Sequence, residues 1–402
     1  MSFKDLPLNK KILSAIEDLG HTTPTPIQEQ AIPQIINGLD LRASAQTGTG
    51  KTAAFILPGL NKLAEESVPG KGPRILILVP TRELAAQVAA EAIKYSKYLP
   101  HIKTVCIVGG TPYPVQNRQL SRPYDILIAT PGRLIDQLER GRIRLDRVEM
   151  FVLDEADRML DMGFIEPVEE IAKAISRPHQ TLLFSATMKG NVLNLSRKLL
   201  KDPVEVAIES KQEFIEQILH TVDNIDHKYR LLDHLLKEQN INQAIIFTAT
   251  KHQADELADK LSRDGHHAAP LHGDLNQRQR NRTIAQLRKG DISILVATDV
   301  AARGIDIPAL SHVINFDIPR CAEDYIHRIG RTGRAGASGI AISFGAYKDM
   351  KTVRTIEHMT GQKMTVSIIP GMEPKTKPQS GSPAPRNRFA PRRKTWSKSR
   401  RY

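Results

Sequence analysis

The chain has 402 residues, enough for two or three domains, and its 57 Lys+Arg against 44 Asp+Glu give a formal net charge of +13. Hydrophobic residues at 40% and charged residues at 25% exclude global disorder, and the lack of any run near 18 uncharged apolar residues excludes a transmembrane protein. The charge calls for a polyanionic partner, and where it sits along the chain decides more than its size.

Leu41–Ser44 reads as a short strand, and a helix opens near Lys51. Between them stands Ala45-Gln46-Thr47-Gly48-Thr49-Gly50-Lys51-Thr52, a P-loop pattern with Ala45 in place of the first glycine. Gly48 and Gly50 let backbone N–H groups close round phosphate oxygens, and the helix N-terminus adds positive dipole. Lys51 reaches the β- and γ-phosphates, and the Thr52 hydroxyl serves Mg2+. Short apolar runs follow at 75–79, 125–128, 150–153 and 181–184, then at 244–247, 292–296 and 312–316. Apolar on both faces, they predict strands buried in a parallel sheet. Amphipathic stretches such as 81–97, 252–263 and 276–288 predict crossover helices, and the alternation predicts an α/β fold of right-handed βαβ units.

The run at 150–153 ends in Asp154 and Glu155, about a hundred residues after the P-loop. Asp154 is expected to hold Mg2+ through water, and Glu155 to orient or deprotonate an attacking water. The pair of motifs points to a nucleoside triphosphatase. Four strand ends share one dipeptide: Ala129-Thr130, Ala186-Thr187, Ala249-Thr250 and Ala297-Thr298. Small residues and hydroxyls there leave room for a ligand beyond the carboxyl ends of the strands, where open α/β sheets bind.

The mostly polar stretch 204–224, after Asp202-Pro203, is the expected boundary between two α/β domains. The 32 residues from Gly371 hold ten Lys/Arg and one acid, with frequent Pro, Ser and Gly, and read as a disordered basic tail. About +9 of the charge lies there and about +4 in the rest. Phe389, Trp396 and Tyr402 interleave with those cations and suit stacking on exposed bases. Cys106 and Cys321 match no metal spacing, which fits a reduced cytosolic protein, and the N-terminus predicts no secretory signal. His266, His267 and His272 lack the carboxylates or thiolates of a metal site, and Met159, Met162 and Phe164 are expected in the core.

Asp154-Glu155-Ala156-Asp157 spells the DEAD box, and ordered strings on either side agree with it. They are Gly20-His21-Thr22-Thr23-Pro24-Thr25-Pro26-Ile27-Gln28, Pro80-Thr81-Arg82-Glu83-Leu84-Ala85, Gly109-Gly110, Thr130-Pro131-Gly132-Arg133 and Ser185-Ala186-Thr187. Later come His272-Gly273-Asp274 with Gln277 and Arg280, the string from Ala297 to Asp306, and His327-Arg328-Ile329-Gly330-Arg331-Thr332-Gly333-Arg334. Over nearly all of residues 1–368 the chain resembles a DEAD-box ATP-dependent RNA helicase of superfamily 2, of bacterial type with a basic C-terminal tail.

The resemblance implies two tandem RecA-like domains at 1–207 and 218–370, a linker at 208–217 and the tail at 371–402. It implies ATP and Mg2+ as cofactors and a cytoplasmic monomer that hydrolyses ATP on RNA-driven domain closure. Closure would locally unwind short RNA duplexes or remodel RNA–protein complexes; the alternative is an ATP-dependent RNA clamp without productive unwinding. A glutamine amide donates and accepts at once, so Gln28 suits adenine N6 and N7, with Phe3 as the upstream aromatic. His21 stands where the family usually has an aromatic. Gln46, Thr47, Gly48, Thr49, Gly50, Lys51 and Thr52 would hold phosphates, and Asp306 the ribose. Arg331 and Arg334 would be arginine fingers, while His327 and Arg328 would link the second domain to the DEAD segment. Asp157, Ser185 and Thr187 would couple hydrolysis to strand separation. RNA would meet Thr81, Arg82, Gly110, Thr130 and Arg133 in the first domain, and Gln277, Arg280 and Thr298 in the second. Such backbone contacts carry no sequence information.

Overall fold

The structure is a computed structural model that describes residues 1–46, 48–65, 70–208, 215–238, 241, 243–302, 310–333 and 339–375. Its first sheet comprises β1 (Leu41–Ser44), β2 (Ile75–Leu78), β3 (Thr104–Ile107), β4 (Ile126–Ala129), β5 (Met150–Leu153), β6 (Gln180–Ser185) and β7 (Val204–Ala207). These lie in the order β3-β4-β2-β5-β6-β1-β7, every pair parallel. The second sheet comprises β8 (Ile215–Thr221), β9 (Ala244–Phe247), β10 (Ala268–Leu271), β11 (Ile294–Ala297), β12 (His312–Asn315), β13 (Gly339–Gly345) and β14 (Thr365–Val366). Its order is β10-β11-β9-β12-β13-β8-β14, again parallel throughout. Counted from its own first strand, each sheet has the same permutation, 3-4-2-5-6-1-7.

The apolar runs explain the layers. Along β2, Ile75 and Ile77 pack into one core while Leu76 and Leu78 pack into the core on the other face. In β9, Ile246 and its neighbours Ile245 and Phe247 divide in the same way. A strand covered by helices on both faces has no solvent side, so its sequence is apolar without alternation.

The edges read differently. In β3 only alternate residues are fully buried, and β10 contains Pro270, which an edge strand tolerates because one row of its backbone groups has no strand partner. The polar stretch taken as a domain boundary holds two strands. β7 closes the first sheet by pairing with β1, and β8 lies between β13 and β14 in the second. Residues 215–217, at the end of the expected linker, therefore belong to β8.

The first residues of the expected tail pack on the second domain. Met372 packs against the second domain's core, and its carbonyl lies 2.9 Å from His227 Nε2. The Lys375 N–H donates to Asp223 at 2.8 Å. Residues 371–375 are thus docked on the second domain; residues 376–402, with Phe389, Trp396 and Tyr402, lie outside the described residues. Among the described residues, no helix is long and apolar enough to cross a membrane.

Candidate active site at the domain interface

β1 delivers the chain to the P-loop, and helix Lys51–Glu65 carries it away. Gly50 has φ +90°, and a Cβ there would collide with the Gln28 amide. That amide is a structural tie. Gln28 Nε2 donates to the Gly50 carbonyl at 3.1 Å, and Oε1 accepts the Thr25 N–H at 3.0 Å in the capping box of helix Pro26–Ile36. One further N–H and one further lone pair remain to the amide for the expected adenine contact. The loop, the Gln28 segment, Phe3 and His21 enclose a cavity of about 330 Å³, with Lys51 and Thr52 on its wall. Gln46 and Thr49 shape the loop, the Thr49 hydroxyl donating to the Gln46 carbonyl at 2.8 Å. Thr47 lies outside the described residues.

β5 ends at this cavity, so Asp154 and Glu155 line it too. Burial pushes the Asp154 carboxyl up to about 6, against the pull of nearby Lys51. Burial pushes Glu155 the same way, but Arg158, Lys51 and Arg331 outweigh it and hold Glu155 below the usual carboxylate range. Arg158 Nη1 donates to Glu155 Oε2 at 3.0 Å in a buried ion pair. A buried aspartate with its pKa raised, beside a threonine at a P-loop, is a donor set that fits Mg2+ completed by phosphate oxygens and water.

Asp157 points away from the cavity into the turn after β6. Its Oδ2 accepts the N–H groups of Ala186 and Thr187, each at 3.0 Å, and the Thr187 hydroxyl at 3.4 Å. The Asp157 N–H donates to Ser185 Oγ at 3.3 Å. The DEAD and Ser-Ala-Thr strings thus form one network. Behind it Met159 is fully buried and Phe164 packs against the core, but Met162 is exposed, because it follows the last residue of the short helix Ala156–Asp161.

The second domain supplies the opposite wall. Arg331, just past helix Ala322–Ile329, is buried and lines the same cavity as Lys51 and Glu155. Arg328 spends its hydrogen bonds inside its own domain, on Asp299 at 2.6 and 2.7 Å, on Asn315 Oδ1 at 2.9 Å and on the Asp317 carbonyl at 2.6 Å. His327 lies with Arg328 and Arg331 around a second, small cavity where the domains meet, and Arg158 of the DEAD segment faces it. Asp306 and Arg334 lie outside the described residues.

The residues expected at RNA collect at the carboxyl ends of both sheets. Thr81 caps helix Arg82–Tyr95, its hydroxyl accepting the Leu84 N–H at 3.3 Å. The exposed Arg82 guanidinium lies so close to Gly110, at φ +78°, that a Cβ there would collide with it. Arg133 donates to the Thr111 carbonyl at 2.9 Å and stands over the Tyr113 ring at 4.4 Å. Thr130 and Thr298 are buried at the ends of β4 and β11. Gln277 and Arg280 reach across the interface to Glu83: Gln277 Nε2 donates at 3.2 Å, and Arg280 Nε and Nη2 at 2.8 and 2.7 Å. Glu83, Arg158 and Tyr113 were not singled out from sequence. Glu83 stands inside a recognised string, but its partner is 197 residues away.

A P-loop cavity completed by an arginine from a second domain of identical strand order defines a two-domain P-loop architecture. Residues 25–195 match the DEAD/DEAH box helicase family, and residues 227–336 match the helicase conserved C-terminal domain. The chain is 45% identical to the ATP-dependent RNA helicase DeaD of Mycobacterium tuberculosis, across 92% of this chain and 66% of that protein, so it spans just under two thirds of that relative. It is 44% identical to the ATP-dependent RNA helicase RhlB of Pseudomonas syringae, across 92% of this chain and 95% of that one. The structure of Dbp5 from Saccharomyces cerevisiae bound to RNA and ADP BeF3 superposes with a TM-score of 0.81 at 33% identity, covering 91% of this chain and 95% of that one. The chain belongs to the DEAD-box family of ATP-dependent RNA helicases, and its fold is two tandem RecA-like domains.

Proposed function

We propose that this protein is an RNA-dependent ATPase that locally opens short RNA duplexes, working as a cytoplasmic monomer. The observation that carries this reading is Arg331, a second-domain side chain on the wall of the cavity that holds Lys51 and Glu155. Both halves of the site come from one chain, which supports the monomer.

ATP would lie with its triphosphate against the P-loop amides and Lys51, and its base toward Phe3, His21 and Gln28. Mg2+, held through Asp154, Thr52 and phosphate oxygens, would supply charge neutralisation on the transferring phosphoryl group. Glu155, kept ionised by its cationic neighbours, would orient the attacking water. Arg331 and Arg334 would meet charge developing on the γ-phosphate, an effect on the order of 10³-fold or more in rate. Asp306 would hold the ribose. RNA would cross the carboxyl ends of both sheets over Arg82, Gly110, Thr130, Arg133, Gln277, Arg280 and Thr298. Asp157, tied to Ser185 and Thr187, would pass the state of the phosphates to that surface. His327 would complete the contact between Arg331 and the DEAD segment, with Arg328 bracing the domain behind it.

ATP turnover measured with RNA, with DNA and with neither tests the reading. RNA is expected to stimulate, DNA not. A short RNA duplex should open with the wild type and stay closed with Glu155→Gln, which still binds ATP and RNA. Stimulation without opening would favour the clamp, and no stimulation would overturn the proposal.

The basic residues after Lys375 would add an RNA tether. If about five phosphates are engaged, affinity should fall roughly a hundredfold between 50 and 200 mM salt. Ending the chain at Lys375, which keeps the docked residues 371–375, should flatten that slope; an unchanged slope and affinity would remove the tail from RNA binding.

A further inference from the structure

Glu155 is one of two described non-glycine residues with positive φ, at 53°, where β5 turns into helix Ala156–Asp161. An ordinary side chain holds that conformation only when its surroundings impose it. The Glu155 backbone is held by Asp154 Oδ1 at 3.0 Å and by the Met159 N–H at 3.1 Å, and its carboxylate by Arg158, three residues on, at 3.0 Å with both side chains more than nine-tenths buried.

Arg158 faces the second domain as well. With Asp299, His327, Arg328 and Arg331 it lines the small cavity at the interface, and Arg331 lines both this cavity and the larger one. Asp299 is the acid on that wall, and Arg328 already occupies both its oxygens. Among the described residues of that wall, Asp299 is turned to Arg328 and Arg158 to Glu155. With the domains together, Arg158 is buried and pressed toward Glu155. With them apart, the pair would face water, where an ion pair is weak and poorly fixed.

We propose that Arg158 is a positioning residue for ATP hydrolysis: domain closure buries it against the second domain and thereby fixes the Glu155 carboxylate for the attacking water. The inference rests on the role given to Glu155 above. It assigns to the residue after the DEAD box a part in making turnover depend on closure.

Single-turnover hydrolysis at saturating ATP and RNA tests it in the wild type, Arg158→Lys, Arg158→Gln, Glu155→Gln and the double variant. Arg158→Gln should lower the rate roughly tenfold to a hundredfold, as misplaced catalytic groups do, with ATP and RNA affinities within about twofold. Arg158→Lys should recover part of the loss, because an ammonium keeps the charge but not the guanidinium fork. In the Glu155→Gln background, Arg158→Gln should change the residual rate less than about twofold, since its effect runs through Glu155. The double variant buries no uncompensated charge, so it keeps the test open if Arg158→Gln alone fails to fold. A wild-type rate in Arg158→Gln, a parallel loss of ATP and RNA affinity, or a full multiplicative loss in the double variant would overturn the proposal. A wild type without RNA-stimulated turnover would instead sink the functional reading beneath it.

Discussion

Asp154 and Glu155 are chain neighbours that burial treats alike and nearby charge treats differently. Both are desolvated, but Glu155 has Arg158 at hydrogen-bond distance, whereas for Asp154 burial, helped by the Glu155 charge beside it, outweighs the pull of Lys51 and of the Glu155 N–H accepted at 3.0 Å. Asp154 therefore titrates at about 6, above its ordinary value of 3.8. Between those values the metal-free folded chain holds a proton that the unfolded chain releases. The group's contribution to stability is full below about pH 4 and is lost as pH rises through about 6. In the proposed site Mg2+–ATP is held by the ionised carboxylate, so its binding should weaken over the same range as pH falls. Melting curves in Mg2+-free buffer from pH 4.5 to 7.5 check the sign. Asp154→Asn should gain on the wild type as pH rises, and a constant difference between them would refute the shift.

Among the elements, the turn after β6 hangs on one carboxylate. Asp157 accepts two backbone N–H groups and one hydroxyl from it, so Asp157→Ala would take the carboxylate acceptor from part-buried donors, of which the Thr187 N–H keeps Ser185 Oγ at 3.3 Å. The expected cost is about 1 kcal/mol, with duplex opening lost more completely than ATP turnover. Thermal melting together with paired ATPase and unwinding assays would show it, and equal loss of both activities would argue against a coupling role.

The strands that were legible in sequence are those whose chemistry is uniform. β2, β4, β5, β9 and β11 are buried on both faces and announce themselves as apolar runs. The four edge strands, β3, β7, β10 and β14, were not legible, because an edge needs only alternate apolar residues and tolerates a proline or a charge. β8 and β13 were hidden by polar and small residues, although β13 is almost wholly buried. The site divides in a similar way. Phosphate-binding glycines and strand-end carboxylates carry local signals. The pairing of Glu83 with Arg280, and the two-sided role of Arg158, depend on what the fold places opposite them.

Across the whole molecule, the Arg280–Glu83 pair is the clearest bridge between domains, with side-chain exposures of 12% and 8%. Removing one member of this part-buried pair would leave the other charge poorly compensated in the closed arrangement. Glu83→Arg should therefore depress RNA-stimulated turnover strongly. Because Arg280 is also placed at RNA, the swap Glu83→Arg with Arg280→Glu is compared with Arg280→Glu alone and should exceed it; a swap no better than Arg280→Glu would mean that the pair does not hold the domains together.

The repeated permutation 3-4-2-5-6-1-7 bears on how the two halves meet. Among the described residues no strand is exchanged between the sheets, and each has its own cores. Each half of the site is carried by a sheet with cores of its own, so in the proposed cycle assembly of the site is a question of concentration. The chain between β7 and β8 joins the two halves, and its length bounds the concentration of each half in the presence of the other. Lengthening it should dilute each half in the presence of the other and lower RNA-stimulated turnover, while the contacts within each sheet stay as they are.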